Sequence, residues 1–386
     1  MKTPSSRRMT LSTFLVPSLA LGLCLTAAAC GEPADEEVTP PVAADQVDGN
    51  DVPLASLAHL KADFPGDTNI AFEGKADVVL PTSYDLLSLQ TPIRNQSRRG
   101  VCSIFSTMGL VESLYKKAGL ATPDFSEQYL QWSVKAQVKA FTDTEGSSDN
   151  YNLRAVVTYG VPVESAWPYN PNPWTTADDP ACTGETQPTK CYTQGEPPPA
   201  AKMAPKYKLP ASRWVSTSSI KNVIYEKRTG VLAGLDFFYQ AWNHRLSTLP
   251  VNSTYFSKGY VLYPNSTDQT ESRKKPAGHS IQLVGWDDNM EVQTVDKDGK
   301  LMVDSSGKPV KEKGFFLFKN SWGTDRFGVT NAKGRRLRLD LVSLHHVVRV
   351  LQHRGCADPH HAVSKHHPSR CRRPGAMTAG GRQSRR

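Results

Sequence analysis

Apolar residues recur at three-residue steps through Phe105, Met108, Val111 and Leu114, and Lys116, Lys117 and Gly119 follow. An apolar stripe closed by two cations and a glycine predicts a helix from about Val101 to Ala118. Beyond Tyr207 the pattern changes to short apolar runs separated by Gly, Pro and Asn: Val231 to Phe238, Tyr260 to Tyr263, Ile281 to Trp286 and Phe315 to Lys319. These runs predict strands, so a helical half precedes a β half. Asp296-Lys297-Asp298-Gly299 and Ser305-Ser306-Gly307-Lys308 punctuate a polar excursion between Trp286 and Gly314 and mark an inserted hairpin. Upstream, Leu54, Leu57, Leu60 and Phe64 fall at roughly helical spacing, within a short pro-like or linker segment at 54–79.

The first 29 residues carry Arg7 and Arg8, an apolar run from Leu11 to Leu25, and Ala27 to Ala29 before Cys30. This is the layout of an export signal, and its apolar run, broken by Pro17, is too short to span a bilayer. Cleavage before Cys30 would leave that cysteine as a lipidation site, and simple cleavage after Ala29 is the alternative; twin-arginine export stays open from Ser6-Arg7-Arg8. Residues 30–53, rich in Asp, Glu, Pro, Val and Ala, read as a solvated tether. The expected location is the bacterial cell envelope through a lipid anchor, or the periplasm or medium. Membrane contact is expected only through that anchor.

With 386 residues and 38% hydrophobic content the chain can bury a large core. Its formal charge of +9 suggests nucleic acid until it is mapped: residues 334–386 hold eleven Arg and one Lys against two Asp, so the rest of the chain is close to neutral. A basic tail is not a basic patch on a folded domain, and no nucleic-acid partner is expected. The tail has no Phe, Trp, Tyr, Asn or Glu, yet seven of the ten His. It reads as a frameshifted or disordered extension that leaves the β half without a closing strand. A zinc site from Cys356, His360, His361, His366, His367 and Cys371, or a nucleic-acid arm, are the functional rivals.

Cys102 falls in the first turn of the expected helix, where the helix dipole favours a thiolate. An isolated cysteine there would read as inert packing. Its surroundings change that: Thr91-Pro92-Ile93-Arg94-Asn95-Gln96 and Gly100-Val101-Cys102-Ser103-Ile104-Phe105 upstream, Gly278-His279-Ser280-Ile281 before an apolar strand, and Asn320-Ser321-Trp322-Gly323 after another. Together these blocks resemble the papain-like cysteine peptidase family over about Leu80 to Gly328, supported by Phe125-Ser126-Glu127-Gln128-Tyr129-Leu130 and by Gly160-Val161-Pro162-Val163-Glu164 leading to Trp167-Pro168-Tyr169.

The resemblance implies an α+β, two-lobed domain over 80–333, with the nucleophile helix in one lobe, His and Asn in an antiparallel β lobe, and a cleft between. It implies Cys102 as nucleophile, His279 as base, Asn320 as the group orienting that base, Gln96 in the oxyanion hole and Trp322 shielding the triad. The substrate would be a peptide or protein, cleaved as an endopeptidase, with no metal or organic cofactor. The alternative is a catalytically inactive scaffold that binds peptides or protein partners. A transglutaminase-like acyl transferase would normally carry Asp as third member, which Asn320 and Gln96 oppose. The chain departs from the family at Arg99, where a disulfide cysteine is usual, at Ser103, where Trp is usual, and near Gly146 to Tyr151, where a Gly-Cys-x-Gly-Gly segment is absent. Cys182 and Cys191 flank a Pro/Thr-rich loop and are candidates for a disulfide in an oxidising compartment. No His lies in that stretch to favour a metal.

Overall fold

The computed structural model describes residues 52–60, 78–121 and 123–331, with the backbone of 340–343 and 349–352. The export signal, Cys30, most of the tether, Phe64 and the zinc candidates of the tail lie outside the described residues.

A single helical turn, α1 (Leu57–Leu60), and a short strand, β1 (Ser83–Asp85), precede the long helix α2 (Cys102–Lys117). Thirteen of the sixteen residues of α2 are buried, so it has partners on all sides and lies between layers, not on a surface. It stops where the sequence indicates: Ala118 and Gly119 donate back to Leu114 and Lys116, and Gly119 takes a φ of +102°, a conformation in which a Cβ is strained. Helices α3 (Glu127–Ala136), α4 (Asp149–Thr158), α5 (Thr189–Thr193) and α6 (Pro199–Met203) complete this lobe. Ser126 caps α3 by accepting from the Tyr129 amide at 3.0 Å. Ile104, Met108, Val111, Phe125, Leu130 and Leu153 form the core. Cys182 and Cys191 are joined by a disulfide that ties the Pro/Thr-rich loop to α5.

The second lobe contains β2 (Arg213–Val215), α7 (Ile220–Lys227), β3 (Val231–Asp236), α8 (Ser253–Lys258), β4 (Tyr260–Val261), α9 (Ser266–Arg273), β5 (Gly278–Gln293), β6 (Lys311–Lys319), β7 (Asp340–Ser343) and β8 (Arg349–Gln352). The sheet order is β2-β8-β3-β5-β6-β7-β4, with β1 also paired to β5. Among the described residues, β4 and β7 pair in parallel and the other strand pairs are antiparallel. Val231, Leu235, Trp242, Ile281, Phe318 and Trp322 lie in its core.

Three expectations are refined. The hairpin expected after Trp286 forms as a continuation of β5 and β6, which run on into it and pair as far as Gln293 and Lys311. Its tip makes two successive turns, each closed by an aspartate. Asp296 accepts from the amides of Asp298 and Lys300, and Asp304 from those of Ser306 and Lys308. Val52, placed in the solvated tether, is buried among the β-lobe core residues. The backbone beyond Lys333 supplies β7 against β6 and β8 between β2 and β3. Ladder hydrogen bonds need only backbone groups, so the sheet is extended there without a strand pattern that the sequence makes conspicuous.

Candidate active site

Cys102 is the first residue of α2 and, among the described residues, the one free cysteine. Its side chain is buried, and burial pushes its thiol up to about 12, with Asp149 adding to the rise. Backbone N–H groups near the thiol, first that of Ser280 and then those of Ser103 and Cys102, oppose this rise. Helix α2 packs against β5, the strand that carries His279.

His279, the second residue of β5, is fully buried. Its Nε2 lies 2.7 Å from Oδ1 of Asn320, which immediately follows β6. That oxygen also accepts from the Ser321 amide at 2.9 Å, which fixes the orientation of the Asn amide. An amide oxygen only accepts, so the ring proton is on Nε2 and Nδ1 keeps its lone pair. Nδ1 is buried with no hydrogen-bond partner among the described residues. The Trp322 ring lies over the imidazole at 4.8 Å, and Trp242 meets it edge-on at 5.3 Å. Burial pulls the His279 pKa down to about 4 despite the Asn320 hydrogen bond. At neutral pH both thiol and imidazole are uncharged in this arrangement.

Gln96 is placed by the same β-lobe loop. Its Oε1 accepts from Ser321 Oγ at 2.6 Å, and its backbone N–H donates to the Ser321 carbonyl at 2.8 Å. The side-chain Nε2 is left to donate to the Arg99 carbonyl at 2.9 Å and the Pro53 carbonyl at 3.4 Å.

Pro53 belongs to a segment that covers the site. Ala55 and Gly278 exchange backbone hydrogen bonds of 2.9 and 2.8 Å, in an antiparallel bridge beside His279. Leu60 and Ala55 form a small apolar cluster with Cys102. The loss of water around Cys102 and His279, the first cause of both pKa displacements, has this segment as one of its sources.

Three groups at the site were not singled out from the sequence. Asp149, at the start of α4, accepts from Ser106 Oγ at 2.9 Å and from Ser280 Oγ at 2.7 and 2.9 Å, joining α2 to β5 behind Cys102. Burial raises its pKa to about 6 against those hydrogen bonds. Lys319, next to Asn320, is buried and donates to Thr91 Oγ1 at 2.8 Å. Thr91 in turn donates to Glu112 on α2. Ser103, noted only as a departure from the family, bonds Ser147 Oγ at 2.9 Å and so braces the altered segment near Gly146. An aspartate directly after two serines at a helix start is a visible sign for Asp149, but its partners lie too far along the chain to be inferred.

Residues 80–330 match the model of the papain family cysteine proteases. No curated protein matches the sequence. Among solved structures, the cysteine protease and lectin-like domains of Cwp84 from Clostridium difficile are 21% identical, with 72% of this chain and 53% of that one covered and a TM-score of 0.46. This chain thus spans about half the length of that protein. Xylellain from Xylella fastidiosa is 15% identical over 78% of this chain and 97% of its own, with a TM-score of 0.49. Bromelain from Ananas comosus is 17% identical over 71% and 99%, with a TM-score of 0.42. The family match spans well over half of the chain and contains both lobes' site residues, so this is a member of the papain family of cysteine proteases with the two-lobed α+β fold of that family.

Proposed function

We propose that the chain hydrolyses peptide bonds through a thioester at Cys102, with His279, Asn320 and Gln96 as its working groups. The observation that carries this reading is the Asn320–His279 hydrogen bond of 2.7 Å under Trp322, which leaves Nδ1 as an unpartnered base on the strand that packs against the Cys102 helix. Nδ1 takes the Cys102 proton as sulfur attacks the scissile carbonyl. The oxyanion is held by the Gln96 Nε2–H and the Cys102 backbone N–H, a type of donor pair in which each member contributes about 3 kcal/mol. The His279 imidazolium then protonates the leaving amine, and water, deprotonated by the same nitrogen, releases the acid and restores the thiol.

The form described is latent under this reading. Val52 to Leu60 sits where substrate would bind, and its Pro53 carbonyl takes the donor meant for the oxyanion. The segment at 54–79 then acts as a short pro-segment rather than a linker, and displacement of residues 52–60 rehydrates the cleft and lets the α2 N-terminus stabilise a thiolate. The N-terminal sequence supports an exported protein, lipid-anchored at Cys30 or released, acting on peptides or proteins outside the cytoplasm.

The test is labelling by an epoxide thiol probe at neutral pH, beside Cys102→Ala and His279→Ala. Labelling that both substitutions abolish, together with turnover of a peptide substrate, is expected. Labelling by the wild type no faster than a free thiol, even after proteolysis within 61–79, would leave the inactive-scaffold reading in its place.

A further inference from the structure

The turn from Gln96 to Cys102 carries both groups proposed for the oxyanion site, and one buried side chain holds it from beneath. Arg99 is fully buried. Its Nε donates to Glu145 Oε1 at 2.6 Å, Nη1 to Gln128 Oε1 at 2.8 Å and the Asn170 carbonyl at 3.2 Å, and Nη2 to the Tyr192 carbonyl at 2.9 Å. The other oxygen of Glu145 accepts from the Gly100 amide at 3.1 Å, two residues before the nucleophile. The guanidinium lies 5.3 Å from the Tyr169 ring centre, and the Tyr169 hydroxyl donates to the Gln96 carbonyl at 2.7 Å. The Arg99 carbonyl accepts from Gln96 Nε2 and from the Val101 amide, at 2.9 and 3.0 Å.

We propose that the Arg99–Glu145 pair is the positioning element of the oxyanion site, fixing the Gln96 amide relative to the Cys102 N–H. This deepens, and rests on, the peptidase reading above. An ion pair that served folding alone would need only its two charges. Here the carboxylate is divided between the guanidinium and the Gly100 amide, and the Arg99 backbone itself holds Gln96. The planar fork is required because the donors point in three directions at once, to α3, to the segment at 145 and to α5; a lysine ammonium on a flexible stem cannot reproduce that set. The disulfide of Cys182 to Cys191 anchors α5, which supplies the Tyr192 carbonyl, so the brace rests on a covalently fixed element.

The test compares the full-length wild type with Arg99→Lys, Glu145→Gln and the double variant. Turnover is measured after proteolysis within 61–79, per Cys102 titrated by an irreversible epoxide, with KM, and melting temperature and amide exchange over 96–102 are read on the full-length proteins. Misplacing an oxyanion donor should lower kcat per titrated site by roughly ten- to a hundredfold, with KM changed less than about threefold and with the two substitutions far from additive. Amides of 96–102 should exchange at least about tenfold faster while the middle of α2 keeps its protection. A lower melting temperature with kcat per titrated site within about threefold of wild type would reduce the pair to a structural role and overturn the proposal. If the wild type shows no turnover even after proteolysis within 61–79, the peptidase reading fails, and the exchange measurement still decides: unchanged exchange over 96–102 in Arg99→Lys removes the positioning role as well.

Discussion

The Pro53 carbonyl lies 3.4 Å from Gln96 Nε2, so a main-chain acceptor of the N-terminal segment occupies the donor that hydrolysis would use for the oxyanion. The same segment puts Leu60, 8% exposed, in contact with Ala55 and Cys102. Leu60→Asp introduces a carboxylate into that cluster, a change that costs the docked state about 2 to 4 kcal/mol. Alkylation of Cys102 by iodoacetamide is expected to accelerate by at least about tenfold, since a 1.4 kcal/mol bias is already that factor. An unchanged rate would mean that this segment does not control access.

Asn320 fixes the tautomer of His279, so removing it should affect turnover more than binding. Asn320→Ala is expected to lower kcat by roughly a hundredfold, within the range typical of acid–base groups, with KM little altered. Trp322→Ala, which exposes the 2.7 Å hydrogen bond to water, should give a smaller loss in the same direction. Steady-state kinetics of both variants, normalised to titrated thiol, distinguish this from simple misfolding. Equal effects on KM and kcat would argue against a tautomer-fixing role.

Asp149 gives a stability profile with a definite sign. Burial raises its folded-state pKa to about 6 from the ordinary 3.8, so the folded protein holds this proton more tightly than the unfolded chain. Its contribution is fully present below 3.8 and is lost as the pH rises through about 6. Asp149→Asn should flatten the urea-unfolding free energy over that window, by an amount on the order of a few kcal/mol. The measurement is a series of urea melts between pH 4 and 7. A variant whose profile keeps the wild-type slope there would exclude Asp149 as its source.

Lys319 neutralises a buried acidic neighbourhood. Burial lowers its pKa to about 8, while Glu112 and Glu127 work to raise it. Lys319→Met leaves the Glu112 carboxyl without its buried cation and should cost about 3 to 5 kcal/mol, read as a fall in melting temperature. Adding Glu112→Gln should recover part of the loss, because the charge left uncompensated is then removed. No recovery would indicate that Lys319 acts through packing alone.

What could be read from the sequence follows the range of the interactions. The helix α2 was legible to within one residue at each end, because its apolar spacing, final lysines and Gly119 are all local. Cys102, His279 and Asn320 stood out because each lies in a short block beside a strand or helix end. Strand β4 stops at Val261, short of the expected Tyr263, whose amide is taken by Glu312 across the lobe. Arg99 was visible only as a departure from a family pattern, since Glu145, Gln128, Asn170 and Tyr192 lie 29 to 93 residues away along the chain. The Ser280–Asp149 contact spans 131 residues, and polar groups in a core leave no periodic trace.

The backbone bridge between Ala55 and Gly278 joins two parts of one chain. Under the proposed reading the covering segment competes for the cleft at an effective concentration set by its covalent connection and not by the amount of protein. Dilution leaves that value unchanged, so the proposed latency would be independent of how much protein is present, and a substrate would enter either by outcompeting a tethered rival or after the connection has been cut. Once cut, the freed segment falls to the concentration of the enzyme itself, and the same weak contacts no longer hold it.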